Sequence, residues 1–210
     1  MKLYQSNNSP NSRRVRIYLA EKGISMPIVP VDLGTGEQFS PAYAAINPRL
    51  VVPTLVLDDG TAIGEAPAII RYLEEENSAP ALLGTSPKSK AVVAMWERRI
   101  EQEGFASVME AVRNAVPRLK NRAIAGPHDY EQIPALVERS RQRVANFYAE
   151  FNARLADVPF ISGDEFSVAD ITGVVTVDFA TKAAGLPIAD EHAALKRWYE
   201  TVSTRASMAA

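Results

Sequence analysis

The chain has no cysteine. That absence excludes disulfides, thiolate metal sites and a cysteine nucleophile supplied by the protein. Imidazole is nearly as scarce. Only His128 and His192 occur, far apart and without a carboxylate spacing that suggests ligation, so no metal is expected. Long hydrophobic runs are missing too. No stretch approaches the roughly 20 apolar residues needed to span a bilayer, and the N-terminus MKLYQSNNSPNSRR lacks the apolar segment of a secretory signal. A cytoplasmic location and no membrane partner are the expectation. Charge of one sign is not in excess: 23 Lys and Arg face 25 Asp and Glu, for a formal net charge of -2. Nothing in that balance attracts nucleic acid. The basic groupings Arg13, Arg14, Arg16 and Arg139, Arg141, Arg143 sit on predicted helices beside acidic residues and without aromatic stacking partners, so they read as solvated faces.

What remains is ordinary globular material, 47% hydrophobic and 23% charged, with no low-complexity tract. A length of 210 residues allows one domain or two small ones. Residues 1 to 77 alternate strands with helices: Lys2 to Gln5, a helix from Pro10 to Lys22 closed by Gly23, Ile28 to Val31, Thr54 to Leu57, and a last helix to about Asn77. That alternation predicts an α/β unit. The first helix places Val15, Tyr18 and Leu19 on one face, against a sheet. Residues 78–87, SAPALLGTSP, have linker composition, and beyond them strand signals almost vanish. Residues 88–210 read as an all-helical domain, with helices near 88–115, 131–155, 167–184 and 190–203. Ser167 with Asp170 three residues on forms a capping box, with Phe166 and Ile171 at the staple positions.

The densest information lies in NPRLVVPTLVLDDGTAIGEAPAIIRYL, Asn47 to Leu73. Pro53 precedes the apolar run Thr54 to Leu57, where a missing N–H is tolerated only at a strand start or edge. A cis bond there would leave the main chain of Val52 open to pair with an extended peptide. Asp59-Gly60 is a hairpin-type turn. Glu65-Ala66-Pro67 then opens a helix whose orphan N–H groups favour a carboxylate. A small peptide ligand is implied.

These residues resemble the cytosolic glutathione S-transferase family, whose pattern N-P-x-G-x-V-P-x-L, D-G, E-S-x-A-I-x-x-Y-L is matched by Asn47, Pro48, Val52, Pro53, Leu55, Asp59, Gly60, Glu65, Ala68, Ile69, Tyr72 and Leu73. SPNSRRVRIYLAEKGI (9 to 24) resembles the first helix of bacterial-type members with a serine-type site, and FSVADI (166 to 171) a later helix cap. The resemblance implies a thioredoxin-like N-terminal domain with a four-stranded mixed sheet, followed by an all-helical C-terminal domain. It also implies a two-fold homodimer, glutathione as co-substrate with no other cofactor, and a small hydrophobic electrophile as second substrate. The expected reaction is attack by the glutathione sulfur on that electrophile. The alternative is a catalytically silent module serving dimerisation or partner docking.

Glutathione reacts as the thiolate, so the protein must lower the thiol pKa. A hydroxyl at a helix N-terminus does this by donating to the charged form, helped by the helix dipole. Ser9 occupies the position that carries this hydroxyl in the resembled serine-type branches, with Asn11 and Ser12 as substitutes. The bland reading of Ser9 is a plain helix cap with Pro10 at N1, and the two roles are compatible. By resemblance, Glu65 meets the ammonium of the γ-glutamyl end, the Ala66 N–H its carboxylate, and Val52 beside Pro53 the ligand main chain. Three residues depart from the family pattern. Ala66 replaces a serine, Leu50 a glycine and Val51 a residue that is often polar, with Arg49 offering a bidentate grip in compensation. Phe105, Met109, Val112 and Arg113, on one helical face, are the candidate wall of the electrophile pocket, which the family builds between its two domains. Such a stripe is more often plain core.

Overall fold

A computed structural model describes residues 1–210. Contacts divide the chain into two compact units: residues 1–80 with 125–128 and 209–210, and residues 81–124 with 129–208.

In the first unit β1 (Lys2–Gln5), β2 (Ile28–Pro30), β3 (Thr54–Val56) and β4 (Ala62–Gly64) form one sheet in the order β2-β1-β3-β4. β1 runs parallel to β2 and antiparallel to β3, and β3 pairs antiparallel with β4. The parallel pair needs a crossover, supplied by α1 (Pro10–Lys22). α1 starts where its sequence says it should. Ser9 is the N-cap and Pro10 supplies a φ already suited to N1, while Gly23 takes the left-handed conformation (φ 63°) that ends the helix. A short helix, α2 (Pro41–Ala44), and then α3 (Ala66–Glu76) complete the unit.

The core of this unit follows from alternation in the strands and periodicity in the helices. Leu3 and Leu55 from the sheet, Val15 and Tyr18 from α1, and Ile69 and Leu73 from α3 are fully buried. Each aliphatic side chain so buried contributes about 1.5–3 kcal/mol. α1 buries a second face as well, including Ile17 and Arg14. The sequence expectation that Arg14 belongs to a solvated face is therefore wrong: it is 1% exposed, and its Nη1 donates to Asn11 Oδ1 at 3.2 Å. Tyr18 donates to Glu74 at 2.6 Å, and Lys22 pairs with the same carboxylate at 2.7 Å, tying α1 to α3.

In the second unit α4 (Pro87–Arg99) runs through a π-helical segment, Ile100–Phe105, into α5 (Ala106–Ala115). The expected single α-helix is thus interrupted. Gly104 lies inside this segment against the Phe147 ring, which a Cβ there would approach to 2.8 Å. α6 (Ala135–Asp157), α7 (Val168–Ala184) and α8 (Ala193–Ser203) follow. α6 begins after Pro134, later than the expected 131, since the residue before a proline is pushed out of the helical region.

α7 is buried over most of its length, so its polar start must be satisfied internally. Asp170 accepts from the N–H of Ser167 (3.0 Å), the N–H of Ile161 (2.9 Å) and Nε1 of Trp198 (2.8 Å). Burial pushes its carboxyl up to about 6, against the pull of those donors. Phe166, expected as half of a staple, packs edge-to-face on Phe160 with centroids 6.0 Å apart. Gly173 lets Ile161 and Trp198 come within 2.7 and 2.9 Å of where a Cβ would stand. No helix is long and apolar enough to cross a membrane.

Candidate active site

The first wall of the site is the turn from β1 into α1. Ser9 is 7% exposed and its Oγ accepts from the Ser12 N–H at 3.2 Å, the ordinary bond of an N-cap. A hydroxyl that accepts from the helix keeps its own proton for another acceptor. Ser12 differs. It is fully buried, and its Oγ turns back to accept from the Ser6 N–H at 3.3 Å. Asn11 is half-buried, with its Oδ1 taken by Arg14 at 3.2 Å.

The second wall is the turn into β3. The Val52–Pro53 peptide is cis. β3 pairs with its neighbours only from Thr54 onward, so the main chain of Val52 lies outside both ladders. The turn is braced from below by side chains that sequence reasoning did not single out as functional. Tyr43 donates to the Val51 carbonyl at 2.7 Å and Asn47 Nδ2 to the same oxygen at 3.0 Å. Thr54 Oγ1 bonds Asn47 at 2.8 Å and Tyr43 at 3.0 Å. Burial raises the Tyr43 pKa, which keeps its proton on the donor side of this bond. Asn47 was visible as a motif letter, whereas nothing local to Tyr43 announced its hydroxyl. Leu50 adopts φ 55°, the left-handed region in which glycine is at ease. The glycine of the family pattern at this place therefore answers to backbone conformation. Arg49 is exposed, with its N–H taken by Asn47 Oδ1 at 2.9 Å.

The third wall is the start of α3. Glu65 is the N-cap, but its side chain makes no capping bond and is exposed. Its backbone takes a positive φ of 63° with ψ 121°, an unfavourable state for a non-glycine residue and one that concentrates at ligand-holding positions. Pro67 has no N–H, and the Ala68 N–H donates to the Glu65 carbonyl at 3.0 Å. The Ala66 N–H is thus the orphan donor at the mouth of this helix. Ala66 itself is 2% exposed.

In the second unit Phe105, the last residue of the π-helical segment, and Val112 of α5 are buried, while Met109 and Arg113 of α5 are half-buried. Phe105 packs on Phe179, with ring centroids 6.1 Å apart. Arg113 donates to the Arg122 carbonyl at 2.7 Å and to Met109 Sδ at 3.3 Å, so its guanidinium braces the chain after α5. No group of three or more His, Cys, Asp or Glu side chains is gathered to hold a metal ion.

A capped helix start, a turn beside a cis-proline and a second helix mouth with an exposed acid are the parts expected of a thiol-peptide site. Comparison with known proteins decides the family. The model of the glutathione S-transferase N-terminal domain matches residues 8–76, and that of the glutathione S-transferase C-terminal domain matches residues 134–201. The chain belongs to the glutathione S-transferase family. It is 34% identical to glutathione S-transferase 2 of Saccharomyces cerevisiae, across 99% of this chain and 88% of that protein. It is also 34% identical to a maleylacetoacetate isomerase of Pseudomonas aeruginosa, across 81% of this chain and 77% of that one. Among solved structures, a glutathione S-transferase domain-containing protein of Marinobacter aquaeolei VT8 superposes with a TM-score of 0.90 at 36% identity, covering 99% of this chain and all of that one. The four-stranded mixed sheet followed by helices agrees with the thioredoxin-like expectation.

Proposed function

We propose that the protein is a glutathione transferase in which the Ser9 hydroxyl donates a hydrogen bond to the glutathione sulfur and so holds it as thiolate. Membership of the family supports an enzyme over the silent module. The observation that carries the assignment to Ser9 is its N-cap bond. Its Oγ accepts from the Ser12 N–H, which leaves the O–H as donor at the positive end of α1. Ser12 and Asn11 are less suited, the one buried and turned inward and the other engaged by Arg14.

In this reading residues 1–77 bind glutathione, 78–87 are a linker and 88–210 supply the electrophile wall. The Val52 main chain, beside Pro53, pairs with the cysteinyl backbone, Glu65 meets the γ-glutamyl ammonium, and the Ala66 N–H meets its carboxylate. Arg49, exposed beside the turn, takes the glycyl carboxylate that Val51 cannot hold. Phe105, Met109, Val112 and Arg113 face a small apolar electrophile. The sulfur attacks the electrophilic carbon and a carbon–sulfur bond forms; either the bond to a leaving group breaks and that group departs with its electron pair, or a π bond of the acceptor opens and its electron pair takes a proton. No metal or other cofactor enters. A homodimer acting in the cytoplasm, in detoxification, completes the proposal.

Calorimetric titration with reduced glutathione tests it first. Saturable binding with a stoichiometry of one per chain is expected, weakened in Glu65→Gln. No heat at millimolar glutathione would favour the silent module instead.

A further inference from the structure

The β1–α1 turn that carries Ser9 is held by side chains of its own helix. Ser9, Ser12 and Arg16 fall at i, i+3 and i+7, one stripe of α1 turned toward the end of β1. Ser6 lies at the centre of what they hold. Its carbonyl accepts from the Ser9 N–H at 3.1 Å and its N–H donates to Ser12 Oγ at 3.3 Å, while the Ser12 N–H donates to Ser9 Oγ at 3.2 Å. The three serines close a ring of hydrogen bonds, all of them buried. One charged group enters that ring. Arg16 Nη1 donates to the Ser6 carbonyl at 3.3 Å and to Gln5 Oε1 at 2.6 Å, and Gln5 Nε2 continues to Asn7 Oδ1 at 3.1 Å.

We propose that Arg16 is a positioning residue for thiol activation: it clamps the β1–α1 turn through Gln5 and Ser6 and so keeps Ser9 aimed at the glutathione sulfur. The inference rests on the Ser9 reading above. The placement explains why an arginine stands here. A guanidinium stays charged and presents fixed donors, so it holds two acceptors of different origin, one side-chain and one main-chain. Arg16 is half-buried and partly desolvated, with Arg13 as its charged neighbour. Arg14, by contrast, serves Asn11 on another face of α1.

The test follows the ultraviolet absorbance of the thiolate of bound reduced glutathione against pH, in the full-length wild type, Arg16→Gln, Arg16→Lys, Ser9→Ala and the double variant Ser9→Ala/Arg16→Gln. Calorimetric Kd and thermal unfolding are measured alongside. In Arg16→Gln the ionisation of bound glutathione should move up by about one pH unit, about a tenfold loss of thiolate below the midpoint, while Kd changes less than about threefold. Arg16→Lys, which keeps the charge and a donor, should recover most of that shift. The double variant should titrate like Ser9→Ala alone. An ionisation that stays at the wild-type pH in Arg16→Gln, while Ser9→Ala moves it, overturns the role of Arg16 and spares that of Ser9. An unmoved ionisation in Ser9→Ala overturns the Ser9 assignment and this inference with it. If Arg16→Gln does not fold, Ser12→Ala, which frees the Ser6 N–H on the other side of the turn, takes its place: a raised ionisation then supports the clamp, and an unmoved one overturns it.

Discussion

Among the helices of this protein that begin with a serine cap, α1 and α7 leave the capping hydroxyl with opposite work. At α7, Ser167 has every polar group bonded inside the fold. Its N–H goes to Asp170, its Oγ accepts from the Ala169 N–H at 3.3 Å, and the same oxygen bonds Ser162 at 2.8 Å and Asp170 at 3.3 Å. At α1, the third residue of the helix is Ser12 and not an acid, and Ser9 Oγ receives only the Ser12 N–H. At α7 the acid at that position accepts from the N–H of the cap and completes a capping box, with the capping hydroxyl also within reach of its carboxylate. The first turn of α1 holds no acid to accept from Ser9. The contrast between a cap bonded on every side and a cap whose hydroxyl accepts a single bond thus turns on the residue three positions on: Asp170 accepts from Ser167, whereas Ser12 Oγ turns to the Ser6 N–H.

The comparison breaks most visibly at α7. Asp170→Ala strands the donors of Ser167, Ile161 and Trp198 in the core and should cost about 3–5 kcal/mol in denaturant unfolding. The fraction that remains folded should turn over glutathione normally. At α1 the loss should run the other way. Ser9→Ala should lower kcat by about 100-fold or more, the scale of a lost transition-state donor, for about 1 kcal/mol of stability. Equal losses of activity in the two variants would dissolve the distinction.

A finer contrast comes from pH. Burial raises Asp170 to about 6 from the usual 3.8. Between those values the folded protein holds a proton that the unfolded chain has released, so this group favours folding near pH 4 and that contribution is lost as the pH climbs through 6. Asp170→Asn should flatten this part of the stability profile, read as unfolding midpoints from pH 4 to 7, whereas Ser9→Ala should leave its shape unchanged. The smallest effect belongs to the third helix mouth. Ala66→Ser restores a hydroxyl at the start of α3 and should tighten glutathione about two- to tenfold by calorimetry, one neutral hydrogen bond. An unaltered Kd would displace the ligand from this helix.

Much of this was legible from residue order. The bounds of β1 and α1 follow from alternation, Pro10 and Gly23, and the α7 cap from Ser167 and Asp170 alone. β4 was not, because three residues just past Asp59-Gly60 with no buried member give no strand signal of their own. The π-helical segment at Ile100–Phe105 was equally silent, since its apolar spacing blends into the helices on either side. The burial of Arg14 is not legible because a charged residue reads as exposed, whereas α1 packs on two faces. Within the candidate site, motif position alone suggests Ser9, Val52 and Glu65. It does not suggest their supports, Tyr43 beneath the Val51 carbonyl and Arg16 beneath Ser6, because each acts across a turn whose path only the folded chain defines.

The most direct test of the central claim is the pH titration of glutathione thiolate absorbance in complex with the wild-type protein, beside Ser9→Ala. If the α1 cap is the reacting one, the bound thiol ionises well below free glutathione in the wild type and near the free value in Ser9→Ala. If both proteins depress the ionisation equally, the proton of Ser9 is not the one that matters, and the contrast between the two serines fails.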